Sequence, residues 1–185
     1  ILEPHREQGV VALWNQLISS GLLKGYSVAR SFTTEWTYDS IAQYIHQSTS
    51  DFNYDEIDCP LGLPANILSQ DPLDMPIVVE LKNPLHSVID DIRDPDDAKK
   101  FKEMDLIVAW DEGSNLENGT YHEYRLQQVC YDGSEIDRKY FGQTHYLTDE
   151  DTEVPVILLK YLLDIASANN EHKYHIMNNH HDAGS

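Results

Sequence analysis

The chain has 185 residues, 41% of them hydrophobic and 10% aromatic, and a formal net charge of −19 at pH 7. That length suits one domain with an ample core, and that composition excludes a disordered chain. The charge repels a polyanion at long range, so the chain alone is expected to bind nucleic acid poorly unless bound metal, a local basic patch or another domain supplies positive charge.

No apolar run approaches the roughly 18 residues of a membrane span, and no basic-then-apolar leader opens the chain, so no membrane association is expected. The chain begins at Ile1 rather than Met, as expected of a piece of something longer. Cys59 and Cys130 show neither metal-ligand spacing nor a partner pattern, and a reducing cytoplasm is the simplest compartment. Asn118-Gly-Thr120 matches a glycosylation acceptor but reads as a turn.

Taken in order, Val10, Val11, Leu13, Trp14, Leu17 and Ile18 recur at helical spacing and predict a first helix over Glu3 to Ser20. Glu7 falls at the edge of that apolar stripe; its plainer role is to favour the helix dipole. Two β-prone runs follow, Tyr26 to Thr33 and Thr37 to Ile45, expected to pair as an antiparallel hairpin with Asp39 at the start of the second. The stretch 46–74 is rich in Ser, Asp, Asn and Pro and is expected to be a long loop or insertion with a short helix and a weak apolar patch over Leu61 to Leu68.

Met75-Pro-Ile-Val-Val-Glu-Leu-Lys82 reads as a strand. Alternation puts Glu80 and Lys82 on one face with Val78, and Ile77, Val79 and Leu81 on the other. On a central strand such a charged pair is costly to desolvate, which points to a site; on an edge strand it would simply sit in water. A turn and short helix are expected over Asn83 to Asp94, then a helix over Pro95 to Met104. Lys99, Lys100 and Lys102 are the basic cluster of the chain, either a solvated face or a phosphate contact surface. Leu106 to Trp110 is apolar on both faces and predicts a strand covered on both sides. Tyr121 to Tyr131 and Ser134 to Leu147 read as further strands or irregular structure, and Val154 to Leu158 as a last strand running directly into a helix. The domain is expected over 1–168, with 169–185 a polar, disordered tail carrying His172, His175, His180 and His181.

The order of these elements, with Glu7 on the first helix, Asp39 opening the second strand and Glu80-Leu81-Lys82 on the third, resembles the PD-(D/E)xK nuclease superfamily. Phe141-Gly-Gln-Thr-His-Tyr146 and Pro155-Val-Ile-Leu-Leu-Lys160 are also similar to nuclease-like domains at the C-termini of gyrase/Hsp90-type ATPases. The resemblance implies an α/β fold, a restriction-endonuclease-like mixed sheet flanked by helices, and an Mg²⁺- or Mn²⁺-dependent DNA endonuclease within a larger nucleic-acid-targeting or antiviral defence protein. It implies Asp39, Glu80, the Leu81 carbonyl and Glu7 as metal ligands and Lys82 as the catalytic cation. DNA is the implied partner, helped by another domain or subunit, with a second copy of the chain as a further candidate. Asp74 is excluded as the first acid, because six residues of strand put it roughly 20 Å from Glu80, while Asp71 and Asp58 stay possible only if the insertion folds back. The alternative is a catalytically inactive domain of the same fold serving assembly, and the third option is an unrelated α/β protein in which Asp39 and Glu7 lie far from Glu80.

Overall fold

The computed structural model describes residues 3–31, 37–47, 49–70, 74–113, 116, 120–132 and 135–169. Of the tail expected over 169–185 only residue 169 is described, at the end of the last helix; the four histidines lie outside the described residues. The fold is α/β: a seven-stranded mixed sheet flanked by helices.

Helix α1 (Glu7–Ser19) buries Val10, Leu13, Trp14 and Leu17, the predicted stripe. It starts later than expected because the segment before it is held elsewhere. Asn83 Nδ2 donates to the Pro4 carbonyl at 2.7 Å and Trp110 Nε1 to Glu3 at 3.0 Å. Strands β1 (Tyr26–Ser31) and β2 (Ser40–Ile45) form the predicted antiparallel hairpin, and β2 pairs antiparallel with β3 (Asp74–Lys82).

The stretch expected as a loop over 46–74 ends in the first residue of β3; before it come the short α2 (Ala65–Leu68), two isolated bridges (Asn53 with Leu63, Asp55 with Cys59) and no further helix or strand among the described residues. Its apolar patch is core, since Leu61, Leu63 and Leu68 are all buried. The loop folds back on itself so closely that a Cβ on Gly62 would stand 2.7 Å from the Asn53 backbone.

After β3 comes α3 (His86–Arg93), then a single 3₁₀ turn (Phe101–Glu103), then β4 (Leu106–Ala109), parallel to β3. The helix expected over Pro95 to Met104 does not form. Two side chains divert the backbone: Asp94 Oδ1 accepts from Asp96 N–H and Asp97 Oδ1 from Lys99 N–H, both at 2.9 Å. Asp side chains compete with helical hydrogen bonding in this way. Strand β5 (Arg125–Gln128), the small hairpin β6 (Tyr131–Asp132) and β7 (Glu135–Ile136), β8 (His145–Thr148) and β9 (Glu153–Leu158) follow, and β9 runs into α4 (159–169).

The sheet order is β1-β2-β3-β4-β9-β8-β5, with β3, β4 and β9 parallel at the centre. One face packs Ile77, Val79, Leu81, Leu106, Val108 and Ile157 against α1 and α4. The other packs Ile107, Ala109, Val156 and Leu158 against α3 and Phe101. Full burial of each such side chain contributes roughly 1.5–3 kcal/mol. The core extends into an aromatic row, Trp14–Tyr26–Tyr44–Tyr140, with successive centroids 5.0, 4.8 and 5.0 Å apart. Among the described residues no helix is long and apolar enough to cross a membrane.

Candidate functional site

Strand alternation decides where Glu80 and Lys82 go. Their neighbours Val79 and Leu81 enter the core under α1, so the two charged side chains project to the α3 side, beside Ile107 and Ala109 in register. This is the central-strand case: Glu80 is fully buried and the Lys82 side chain is 9% exposed.

Lys82 Nζ is the hub. It lies 3.2 Å from Glu7 Oε2, 4.0 Å from Asp39 Oδ2, 3.3 Å from Glu80 Oε1 and 3.0 Å from Asp91 Oδ2. Lys99 Nζ closes the cluster, 2.7 Å from Glu80 Oε1 and 3.0 Å from Asp91 Oδ2. Five parts of the fold thus meet: the first turn of α1, the entrance to β2, the end of β3, helix α3 and the Asx-turn segment before the 3₁₀ turn.

Each side chain is held by its element. Glu7 sits where the Glu3 and Pro4 contacts tether the start of α1 over the ends of β3 and β4. Asp39 stands where β2 stops covering β3: the last paired residues are Ser40 and Val79. The Leu81 N–H, left without a β2 partner, donates to Asp39 Oδ2 at 2.9 Å. A residue's N–H and C=O point to the same side of a strand, so the Leu81 carbonyl faces the Asp39 side. Tyr38 braces this corner, its hydroxyl donating to Glu103 at 2.6 Å and accepting from Lys100 N–H at 3.2 Å.

Burial and charge oppose one another here. Burial, then the Asp39 charge, push the Glu80 carboxyl up to about 7 despite Lys99 and Lys82. Burial alone would lower Lys82, but Glu80, Asp39, Asp91 and Glu7 outweigh it and hold its pKa above the ordinary lysine value. Lys99 is raised by Glu80 and Asp91 against the same burial effect. Asp91 is lowered, because hydrogen bonds from Lys99 and Lys82 exceed its desolvation. Both ammoniums are therefore charged at any physiological pH.

Four carboxylates face two ammoniums. With all groups ionised two negative charges are in excess, the charge one Mg²⁺ balances. Glu80 Oε1 meets the ammoniums only as ion-pair contacts, and buried Oε2 has no hydrogen-bond partner among the described residues. An all-oxygen donor set with an unmatched buried carboxylate oxygen fits a hard divalent cation. Among the described residues no three carboxylate, imidazole or thiol groups converge as metal ligands. At this site Lys82 Nζ holds the point of convergence.

Glu7, Asp39, Glu80 and Lys82 are thus brought together, with the Leu81 backbone beside them. Lys99 is not on an exposed basic face but inside the cluster, its side chain 10% exposed. Lys100 is exposed and pairs with Glu103, and Lys102 is exposed. Gln43 points away, donating to Asp74 at the far end of β3. Asp91 was missed by sequence reasoning. Its signal was the buried pair Val88 and Ile89: one helical turn beyond Val88, Asp91 falls at the border of the inward face. No family model, no curated protein and no solved structure matches the chain.

Proposed function

We propose that the chain is a restriction-endonuclease-like domain of the PD-(D/E)xK type, a cytoplasmic Mg²⁺- or Mn²⁺-dependent endonuclease that hydrolyses phosphodiester bonds in DNA as part of a larger nucleic-acid-targeting protein. The observation that carries this reading is the gathering of Glu7, Asp39 and Glu80 within 4.0 Å of one Lys82 ammonium. Surface ion pairs do not need a fully buried glutamate, and the isolated-pair option placed Asp39 and Glu7 far away.

Asp39, Glu80, the Leu81 carbonyl and Glu7 are the groups that would hold the ion. When bound, Mg²⁺ would acidify a water and offset phosphate charge. Lys82 would orient the attacking water and stabilise the charge that develops on the phosphoryl oxygens. Asp91 and Lys99 position it: Asp91 shares its Oδ2 between both ammoniums, and Lys99 keeps Glu80 partnered. Lys100 and Lys102 are the exposed cations nearest in sequence for a phosphate backbone, and the net charge of −19 calls for a further basic partner.

A second reading, an inactive domain of the same fold used in assembly, has one observation in its favour: Lys82 already contacts four carboxylates. An assembly role calls for an exposed apolar surface, but Leu61, Leu63 and Leu68 in the apolar patch over 61–68 are buried. Supercoiled plasmid separates the two. Nicking with Mg²⁺ or Mn²⁺ that disappears in Glu80→Gln and in Lys82→Ala supports the nuclease. Nicking that survives Glu80→Gln, or none by the folded protein with either metal, overturns it.

A further inference from the structure

A second charged side chain is buried far more thinly partnered than Lys82. Arg138 is 4% exposed, and no carboxylate lies in an ion pair with it among the described residues. Its Nε donates to the Gln143 carbonyl at 2.7 Å, and its Nη1 to the carbonyls of Pro60 and Gly62 at 3.0 and 2.6 Å. Those bonds use three of the five guanidinium N–H donors. Nη2 donates to no described residue. Burial pushes the pKa of Arg138 down to about 10, in a chain whose net charge is −19.

Arg138 lines a cavity of about 570 Å³ between the 54–60 loop, the end of β5 and α4. Tyr54, Ile57, Ile136, Tyr161 and Ile165 form much of its wall, and Arg138 lies 6.0 Å from the Tyr54 ring centroid. Ile57 is 40% exposed, one of two large hydrophobic side chains left exposed among the described residues. None of the wall residues belongs to the carboxylate–lysine cluster. A cavity of this size, with apolar side chains on its wall and a buried charged group among its polar ones, has the anatomy of a small-molecule site. A buried guanidinium with an unused fork edge is the group that recognises a planar or tetrahedral oxyanion.

We propose that this cavity binds a small organic anion: a ring-sized apolar body, seated among Tyr54, Ile57 and Ile165, that carries one carboxylate or phosphate group to Arg138 Nη2. Glu56, also on the wall, disfavours a multiply charged ligand, so the group is a single anion on an apolar frame.

Benzoate and phenyl phosphate are the probes, titrated calorimetrically into the whole chain at constant ionic strength, with benzyl alcohol and chloride as controls. Saturable binding of either anion is expected, and which one binds tells carboxylate from phosphate. Arg138→Met should weaken it more than about tenfold. Ala168→Trp, on an exposed position of α4 at the cavity wall, should block it without touching the Arg138 hydrogen bonds, and decides the matter if the Arg138 variant does not fold. Glu80→Gln should bind as the unaltered protein does. The proposal is overturned if neither anion binds, if benzyl alcohol binds as tightly, or if folded Ala168→Trp binds unchanged.

Discussion

Two regions of this molecule bury positive charge, by different physics. Around Lys82 the charge is matched by charge, with four carboxylates within 4.0 Å of the ammonium. Around Arg138 it is matched by dipoles, with three backbone carbonyls and no described carboxylate. Carbonyls satisfy hydrogen-bond geometry but do not return the Coulomb energy lost on leaving water. Hence the pKa of Lys82 stands above its ordinary value and that of Arg138 below it. The first arrangement is electrostatically over-supplied with acid and suits a cation. The second is under-supplied and suits an anion.

The largest expected effect comes from removing the hub. Lys82→Ala leaves four carboxylates facing Lys99 alone, and losing one partner of a buried pair costs about 3–5 kcal/mol. Urea unfolding measures it. Mg²⁺ or Mn²⁺ should restore part of that loss, because a divalent cation can replace the missing charge. A variant as stable as the parent, or one that metal leaves unchanged, breaks the account of the cluster as a cation site.

A third answer to burial is to stay neutral, and His145 takes it. The ring is 8% exposed, its Nδ1 lies 2.9 Å from Thr144 Oγ1, and burial holds its pKa at about 4. The folded value lies below the unfolded one, so the neutral ring's contribution is complete above about pH 6.5 and lost as pH falls towards 4. The loss is on the order of 3 kcal/mol. His145→Asn, which cannot titrate, should lose correspondingly less between neutral and acid pH. Parallel unfolding curves for both proteins across that window would remove His145 from the comparison.

Arg138→Met should act more weakly than Lys82→Ala. It strips donors from three carbonyls but also removes an uncompensated charge, and these oppose one another. A net loss of about 1–3 kcal/mol is expected in the same urea experiment. A loss equal to that of Lys82→Ala would mean that dipoles hold the guanidinium as firmly as carboxylates hold the ammonium.

What could be read from the sequence follows the same division. Alternation along Ile77 to Lys82 placed Glu80 and Lys82 on one face, and the doubly apolar run Leu106 to Trp110 predicted a strand covered on both sides; both are local periodicities, whereas the central place of the Glu80 strand depends on which strands pair with it. Glu7 and Asp39 could be named because each stands at an element boundary that the pattern marks. Lys99 was misjudged because its direction depends on two Asx turns, at Asp94 and Asp97, inside a stretch whose Ala98, Phe101 and Met104 mimic a helix. Arg138 is not legible locally: Gln143 is five residues on, but the carbonyls that bury its Nη1, on Pro60 and Gly62, lie 78 and 76 residues away.

The smallest effects belong to the lysines beside the cluster, and they test whether its surroundings serve DNA. Lys99 is inside, paired with Glu80 and Asp91, whereas Lys100 is 62% exposed and pairs with Glu103 three residues on. Lys99→Ala should therefore lower the unfolding midpoint, while Lys100→Ala and Lys102→Ala should leave it in place, as solvent-screened charges do. If the exposed pair contacts phosphates, each replacement should reduce the slope of log affinity against log salt by about one in a DNA-binding titration. An unchanged slope in the double variant would remove these two side chains from the nucleic-acid surface. The inward cluster would stand, because Lys99 contributes there through Glu80 and not through the solvent-facing side of the turn.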